Sequence, residues 1–372
     1  MPILLDLPKI HFDFGAVSSL PDELAELNIK RPLIVTDRNL VECGVLKKAL
    51  SALPVGNTFP IFDEIPENPT VDGIEKACEV YLQEGCDGIV AVGGGSVIDS
   101  SKGIALRAAH PAPISQYEGH SEKITESTAP IISIPTTAGT GSEITFGAGI
   151  HTDPSTPSMN IRSPHFVPKV AICDPDLTMT LPPSLTASTG MDALGQCLEA
   201  YLARGKNPVI DAIALNGAKR AFDYIERAVA DGSDKDARWN MLMAALEGGI
   251  GIHKGLGSVH AMANTFGDQG FNHGIIVAVA LPSVLRFLED YAADRLDDLA
   301  TLLDLENRDQ LPATIEELNR RLGLPVTLGE LGYVINDIDQ AAELCVQSGF
   351  NNTAPHAPTH EQYKGLLKNA TG

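Results

Sequence analysis

Short apolar runs alternate with longer segments of helical period through the first half of the chain. Lys9-Ile10-His11-Phe12-Asp13-Phe14-Gly15 alternates as a strand does, and Ser19-Leu20-Pro21-Asp22-Glu23-Leu24 reads as a capped helix start. Residues 31–37 and 57–62 predict two further strands, with a short amphipathic helix over 45–53 between them. Helical periodicity over 71–85 leads into the mostly apolar strand 86–92, then into Gly93-Gly94-Gly95-Ser96 and a new helix start. Residues 129–135 form another strand that runs into Thr136-Thr137-Ala138-Gly139-Thr140-Gly141-Ser142-Glu143. Strands alternating with helices through short loops predict a parallel sheet covered on both faces. After Leu181-Pro182-Pro183 the period becomes helical, over 185–202, 208–230, 236–250, 259–266, 274–288, 311–322 and 338–345. The predicted fold is therefore an α/β domain over 1–182 followed by an all-helical domain over 183–372. Residues 355–358 alone read as irregular in the later part.

Length agrees with two domains, because single cores seldom grow past ~250–300 residues and this chain has 372. A formal net charge of −21 disfavours nucleic acid or an anionic membrane as partner, since like charges repel. The six cysteines are scattered with no C-x-x-C pair, and read as reduced thiols. The first residues lack a basic segment followed by a long apolar one, and no apolar run is long enough for a bilayer, so a cytoplasmic protein is expected.

The glycines after strand 86–92 let the backbone approach a ligand, and the helix start behind them favours an anion such as a diphosphate. The plainer reading is a tight strand-to-helix turn. Asp37 closes a strand, where a carboxylate can accept from a ribose 2′-hydroxyl and repel a 2′-phosphate; it reads equally as a turn aspartate. The 136–142 loop offers hydroxyls and N–H groups at a second strand end. In the helical half Asp192 and Gln196 stand at i and i+4 on one face. His260 and His273 flank a glycine-rich loop, 267–270. An aspartate and two histidines suit a divalent metal with open positions, although each histidine alone reads as a core or surface residue.

These segments occur together, in this order, in one family. Gly93-Gly94-Gly95-Ser96-Val97-Ile98-Asp99, Pro135-Thr136-Thr137-Ala138-Gly139-Thr140-Gly141-Ser142-Glu143, Asp174-Pro175-Asp176-Leu177-Thr178, Thr189-Gly190-Met191-Asp192-Ala193 and the 260–282 segment resemble the iron-containing (group III) alcohol dehydrogenases. The likeness spans nearly the whole chain. Ile10-His11-Phe12-Asp13-Phe14-Gly15-Ala16-Val17 and Lys254-Gly255-Leu256-Gly257-Ser258-Val259-His260 are most similar to the 4-hydroxybutyrate dehydrogenase branch. The resemblance implies the dehydroquinate synthase-like fold of that family: an α/β dinucleotide-binding domain, a helical domain, and a cleft between them for cofactor, metal and substrate. It implies NAD around Asp37, Asn68, Gly94, Gly95, Ser96, Asp99, Thr136, Thr137 and Thr140. It implies Fe2+ or Zn2+ on Asp192, His260, His273 and the position of Gln196. A small alcohol or aldehyde as substrate, and a homodimer or larger assembly, follow from the same likeness.

Four positions depart from the family pattern. Gln196 stands where the family has a histidine ligand, and offers a neutral amide oxygen instead of an imidazole. Asn264 stands where a histidine is implicated in proton relay, and an amide does not shuttle protons near neutral pH. The loop to His273 is one residue shorter, and Ser158 falls where the family often has a cofactor-site lysine. These changes leave three readings: a working dehydrogenase with a weaker or different metal site, a dinucleotide-binding protein with little activity, and a dehydroquinate synthase-like lyase.

Overall fold

The computed structural model describes residues 6–54, 56, 58–153, 156–266 and 271–372. They fall into two compact units: Ser142–Thr180 with the residues up to Thr137, and Leu181–Gly372 with Ala138–Gly141.

The first unit is built on six strands: β1 (Lys9–Phe12), β2 (Pro32–Val35), β3 (Ile61–Phe62), β4 (Gly88–Gly93), β5 (Ile131–Pro135) and β8 (Val170–Cys173). Their order is β1-β8-β5-β4-β2-β3, and every pairing is parallel. Strand alternation sends odd and even positions to opposite faces, so the sheet needs two covers. Leu33, Val35, Ile89, Ala91 and Ile131 pack on one face, among residues of α4 (Val71–Gln83) and α5 (Gly95–Ala109). Ile34, Val90, Val92, Ile132 and Ile134 pack on the other, with α1 (Leu20–Glu26) and α3 (Val45–Ala49). The remaining helix of this unit is α2 (Arg38–Glu42). From β2 the chain moves out to the edge strand β3 and returns to β4 on the other side of β2. This reversal makes the carboxyl ends of β2 and β4 the switch point of the sheet, where open α/β sheets bind ligands.

Sequence periodicity missed the antiparallel pair β6 (Gly147–Ile150) and β7 (Met159–Arg162). Each has four residues, too few for alternation to stand out. The expected strand over 57–62 is shorter, and Ser19 makes no side-chain cap; its hydroxyl donates to the Ala16 carbonyl instead.

The second unit is helical: α6 (Pro183–Leu202), α7 (Pro208–Ala230), α8 (Lys235–Ile252), α9 (Ser258–Thr265), α10 (His273–Leu288), α11 (Ala293–Leu302), α12 (Leu311–Arg321), α13 (Ile338–Gln347) and α14 (His360–Thr371). Helix α6 is its axis, buried almost all round from Thr186 onward. No helix among the described residues is long and apolar enough to cross a membrane.

Candidate active site

At the switch point, Asp37 follows β2 and Gly94 follows β4. Gly94 is the N-cap of α5, whose 15 residues present an N-terminal dipole there. A Cβ on Gly94 would lie 3.1 Å from the Thr137 side chain, so the bare glycine lets the loop after β5 lie against the turn. Thr136 continues this junction, its N–H donating to the Gly93 carbonyl at 3.1 Å. Asp37 Oδ1 accepts the Leu40 N–H at 3.1 Å and so caps α2, while burial raises its pKa. The turn reading of Asp37 is thus realised as a helix cap at the carboxyl end of β2.

Two residues expected at the cofactor also have partners inside the protein. The Ser96 hydroxyl donates to the Glu67 carbonyl, which ties α5 to the loop carrying Asn68. Asp99 uses both carboxylate oxygens inside the protein: Oδ1 meets Lys102 Nζ at 3.2 Å and the Ser142 hydroxyl, and Oδ2 accepts the Gly149 N–H at 2.9 Å. Lys102 is fully buried, so a charge partner is obligatory and Asp99 supplies it. Asp99 therefore anchors the turn. Ser158 lies alongside, close to Gly149 and Asp99.

Glu143, at the end of the second glycine-rich word, is 2 % exposed and its Oε1 has no hydrogen-bond partner among the described residues. Burial pushes its pKa up to about 7 from 4.5. Between those values the folded chain holds a proton that the unfolded chain has lost, so stability falls as pH rises from about 4.5 to about 7. Glu143→Gln should raise stability at pH 8 by up to roughly 3 kcal/mol and by little at pH 4.5. Thermal melts at both pH values test this, and a constant difference would contradict it.

In the helical unit, Asp192, Gln196 and Glu199 lie at i, i+4 and i+7 on α6 and form a buried polar stripe along it. His260 stands in the first turn of α9, and His273 opens α10. Helix α10 lies against α6 so closely that a Cβ on Gly274 would sit 2.1 Å from the Ser188 carbonyl, one turn before Asp192. His260 Nε2 is 3.5 Å and His273 Nε2 3.8 Å from Asp192 Oδ1. Ligand atoms of the three residues all lie within 4.8 Å of one another. A divalent ion with bonds near 2.1 Å needs separations of about 3.0–3.4 Å, so small adjustments suffice.

The chemistry of the donors also fits a cation. Asp192 Oδ1, Gln196 Oε1 and His260 Nε2 are buried and have no hydrogen-bond partner among the described residues. Asp192 Oδ1 and His260 Nε2 face each other at 3.5 Å, too long for a good hydrogen bond, and a cation between them would use both atoms. Burial raises the Asp192 pKa, but His260, His273 and Gln196 outweigh it and leave the carboxyl below its usual value. Burial lowers the His260 pKa, yet Asp192 and Glu199 outweigh that and push it up to about 9.

The sequence reading missed Glu199. Its Oε2 accepts from His260 Nδ1 at 2.7 Å, and its two oxygens accept the N–H groups of Val259 and His260. Helix α9 has no side-chain cap of its own, so this carboxylate serves as its cap while holding the imidazole with Nε2 outward. The i+7 spacing from Asp192 was the available signal. Asn264 is half-buried on α9, four residues beyond His260, and residues 267–270 lie outside the described residues.

The family described as iron-containing alcohol dehydrogenase matches residues 8–175, and its C-terminal counterpart matches 186–371. The chain belongs to the iron-containing alcohol dehydrogenase family. As such it is an oxidoreductase with the fold expected above, and the family uses NAD and iron or a similar metal. It is similar to 4-hydroxybutyrate dehydrogenase of Cupriavidus necator, 41% identical over 99% of both chains. Among solved structures, 1,3-propanediol oxidoreductase superposes with a TM-score of 0.92 at 33% identity over 98% of both chains. Sulfoacetaldehyde reductase from Bifidobacterium kashiwanohense, in complex with NAD+, superposes at 0.90 with 28% identity over 100% of this chain and 99% of that one.

Proposed function

We propose that this enzyme is an NAD(H)-dependent, metal-dependent dehydrogenase for a small primary alcohol or its aldehyde, carboxylate-bearing as in 4-hydroxybutyrate. The observation that supports the metal part is the convergence of Asp192, His260 and His273, whose ligand atoms lie within 4.8 Å of one another. Asp192 Oδ1 and His260 Nε2 are buried there without a good hydrogen bond, an arrangement a bound cation would relieve. The 41% relative named for 4-hydroxybutyrate supports the substrate class.

Asp192, Gln196, His260 and His273 would hold Fe2+ or Zn2+, which when bound polarises the alcohol oxygen and lowers its pKa. The chain's own residues do the rest. Glu199 fixes the tautomer of His260 by taking its Nδ1 proton as a hydrogen bond. The glycine turn at Gly94 and the start of α5 would take the diphosphate, with Asp37 toward the ribose. Asn264, where the family has a histidine, carries no group that titrates near neutral pH and would not serve as a proton relay.

Purified enzyme should reduce the aldehyde of 4-hydroxybutyrate with NADH, lose this on chelation, and regain it with Fe2+ or Zn2+. Tight NADH binding without turnover across a broad aldehyde panel would sink the proposal and favour a non-catalytic dinucleotide-binding protein. NADH should be preferred over NADPH, and Asp37→Ser should narrow that preference about tenfold or more. An Asp37→Ser enzyme with unchanged selectivity would reduce Asp37 to a helix cap.

A further inference from the structure

Helix α10 carries Pro282 in its interior, nine residues after His273 opens it. Proline has no N–H, so the Ala278 carbonyl four residues back receives no helical bond from that position. Residues 276–282 are all buried, which keeps bulk water from taking the place of the missing donor. Helix α12 supplies one instead. Asn319 is fully buried, and its Nδ2 donates to the Ala278 carbonyl at 2.7 Å. A carbonyl only accepts, so the end of the amide at Ala278 is its nitrogen. Oδ1 has no hydrogen-bond partner among the described residues, so the donor is what this buried amide contributes.

The bond falls on the stretch of α10 that brings His273 to Asp192. Along one side this stretch is pressed on α6. A Cβ on Gly274 would sit 2.1 Å from the Ser188 carbonyl, and one on Gly195 would sit 2.5 Å from Val277 Cγ1. Ser188 and Gly195 bracket Asp192 along α6. On α12, Leu311, Ile315 and Leu318 are buried together with Asn319. An interior proline is where a helix most readily bends, because one rung is gone and the ring crowds the carbonyl before it. Asn319 closes that gap at Ala278, five residues from His273.

We propose that Asn319 is a positioning residue for the metal cluster: its amide replaces the bond that Pro282 removes and holds the first turns of α10 with His273 at Asp192. This rests on the metal reading given above. Without the amide, the Ala278 carbonyl must turn toward another donor or stay unpaired, and a turn there moves the helix end that carries the imidazole. His273 Nε2 stands 3.8 Å from Asp192 Oδ1. Metal bonds tolerate departures of only about 0.2 Å from their ordinary lengths, so a small movement of α10 is read as lost affinity.

The test is a double-mutant cycle in the full-length protein, with melting followed metal-free by circular dichroism and Zn2+ affinity titrated well below the transition. Asn319→Leu removes the donor, and Pro282→Ala gives the ladder back its N–H. Asn319→Leu alone should lower the melting temperature by about 3–10 °C and weaken Zn2+ about 5- to 10-fold. In the Pro282→Ala background the same substitution should lose less than half as much on both readouts, because Ala278 then has a donor of its own. A melting shift with unchanged Zn2+ affinity makes Asn319 merely structural and overturns the proposal. Equal losses in both backgrounds overturn it too. Should Asn319→Leu alone not fold, the double variant is expected to fold and to bind Zn2+ within about twofold of Pro282→Ala; a double variant that does neither sinks the proposal. Absence of Zn2+ uptake by wild type refutes the metal reading instead, and removes the positioning role with it.

Discussion

Asp192→Asn should lower metal affinity by at least about 100-fold and kcat/KM by about 1,000-fold or more, with the fold intact. Asp192 is the carboxylate of the Asp192, His260 and His273 cluster, and both imidazoles approach the same oxygen, Oδ1. An amide of the same shape removes the negative charge while changing no packing volume. Two neutral imidazoles and two amides would then face the cation, a set that divalent metals hold weakly. Metal content after dialysis, set beside steady-state NADH oxidation, checks the result. An asparagine variant that retains one metal per chain would place the ligands elsewhere.

Glu199→Gln is expected to be the second most damaging change. The glutamate accepts at both oxygens, from two backbone N–H groups and from an imidazole nitrogen. A glutamine has one oxygen and must turn an NH2 toward some of those donors. The start of α9 loses part of its cap and His260 its fixed tautomer, at a cost of about 2–4 kcal/mol in stability. Metal affinity should fall about 10- to 100-fold. A purely structural role would lower the melting temperature and leave the metal affinity of the folded fraction unchanged. Metal titration well below the melting transition separates the two, and NADH affinity of the stripped variant should stay near that of stripped wild type.

Long periodic segments were the most legible part of the fold. Residues 208–230 read from pattern coincide with α7. Helix α11 escaped because only Leu296, Leu299 and Ala300 of its ten residues are buried. Helix α14 carries a sign readable in the sequence, the capping box of Thr359 and Gln362. In the site, the resemblance supplied Asp192, His260 and His273, which no spacing rule would have joined across more than sixty residues of chain. At Asp99 and Ser96 it gave no sign of their internal partners, because a motif marks where residues stand and leaves open which neighbour takes each lone pair. The role of Glu199 was not legible because its partners, Val259 and His260, lie some sixty residues further along the chain.

The placement of Ala138–Gly141 has a bearing on how this architecture can be inherited. These residues are encoded inside the sheet-forming stretch yet rest among helices, with Gly141 against Gly249. No single cut in the sequence frees either half whole. A fragment ending at Thr180 would carry four residues shaped for a surface it lacks, and a fragment beginning at Leu181 would lack the carbonyl that orients Gln196. Such a protein is poorly suited to exchange of halves with its relatives by recombination, and change at its centre should proceed by point substitutions on both sides of that graft.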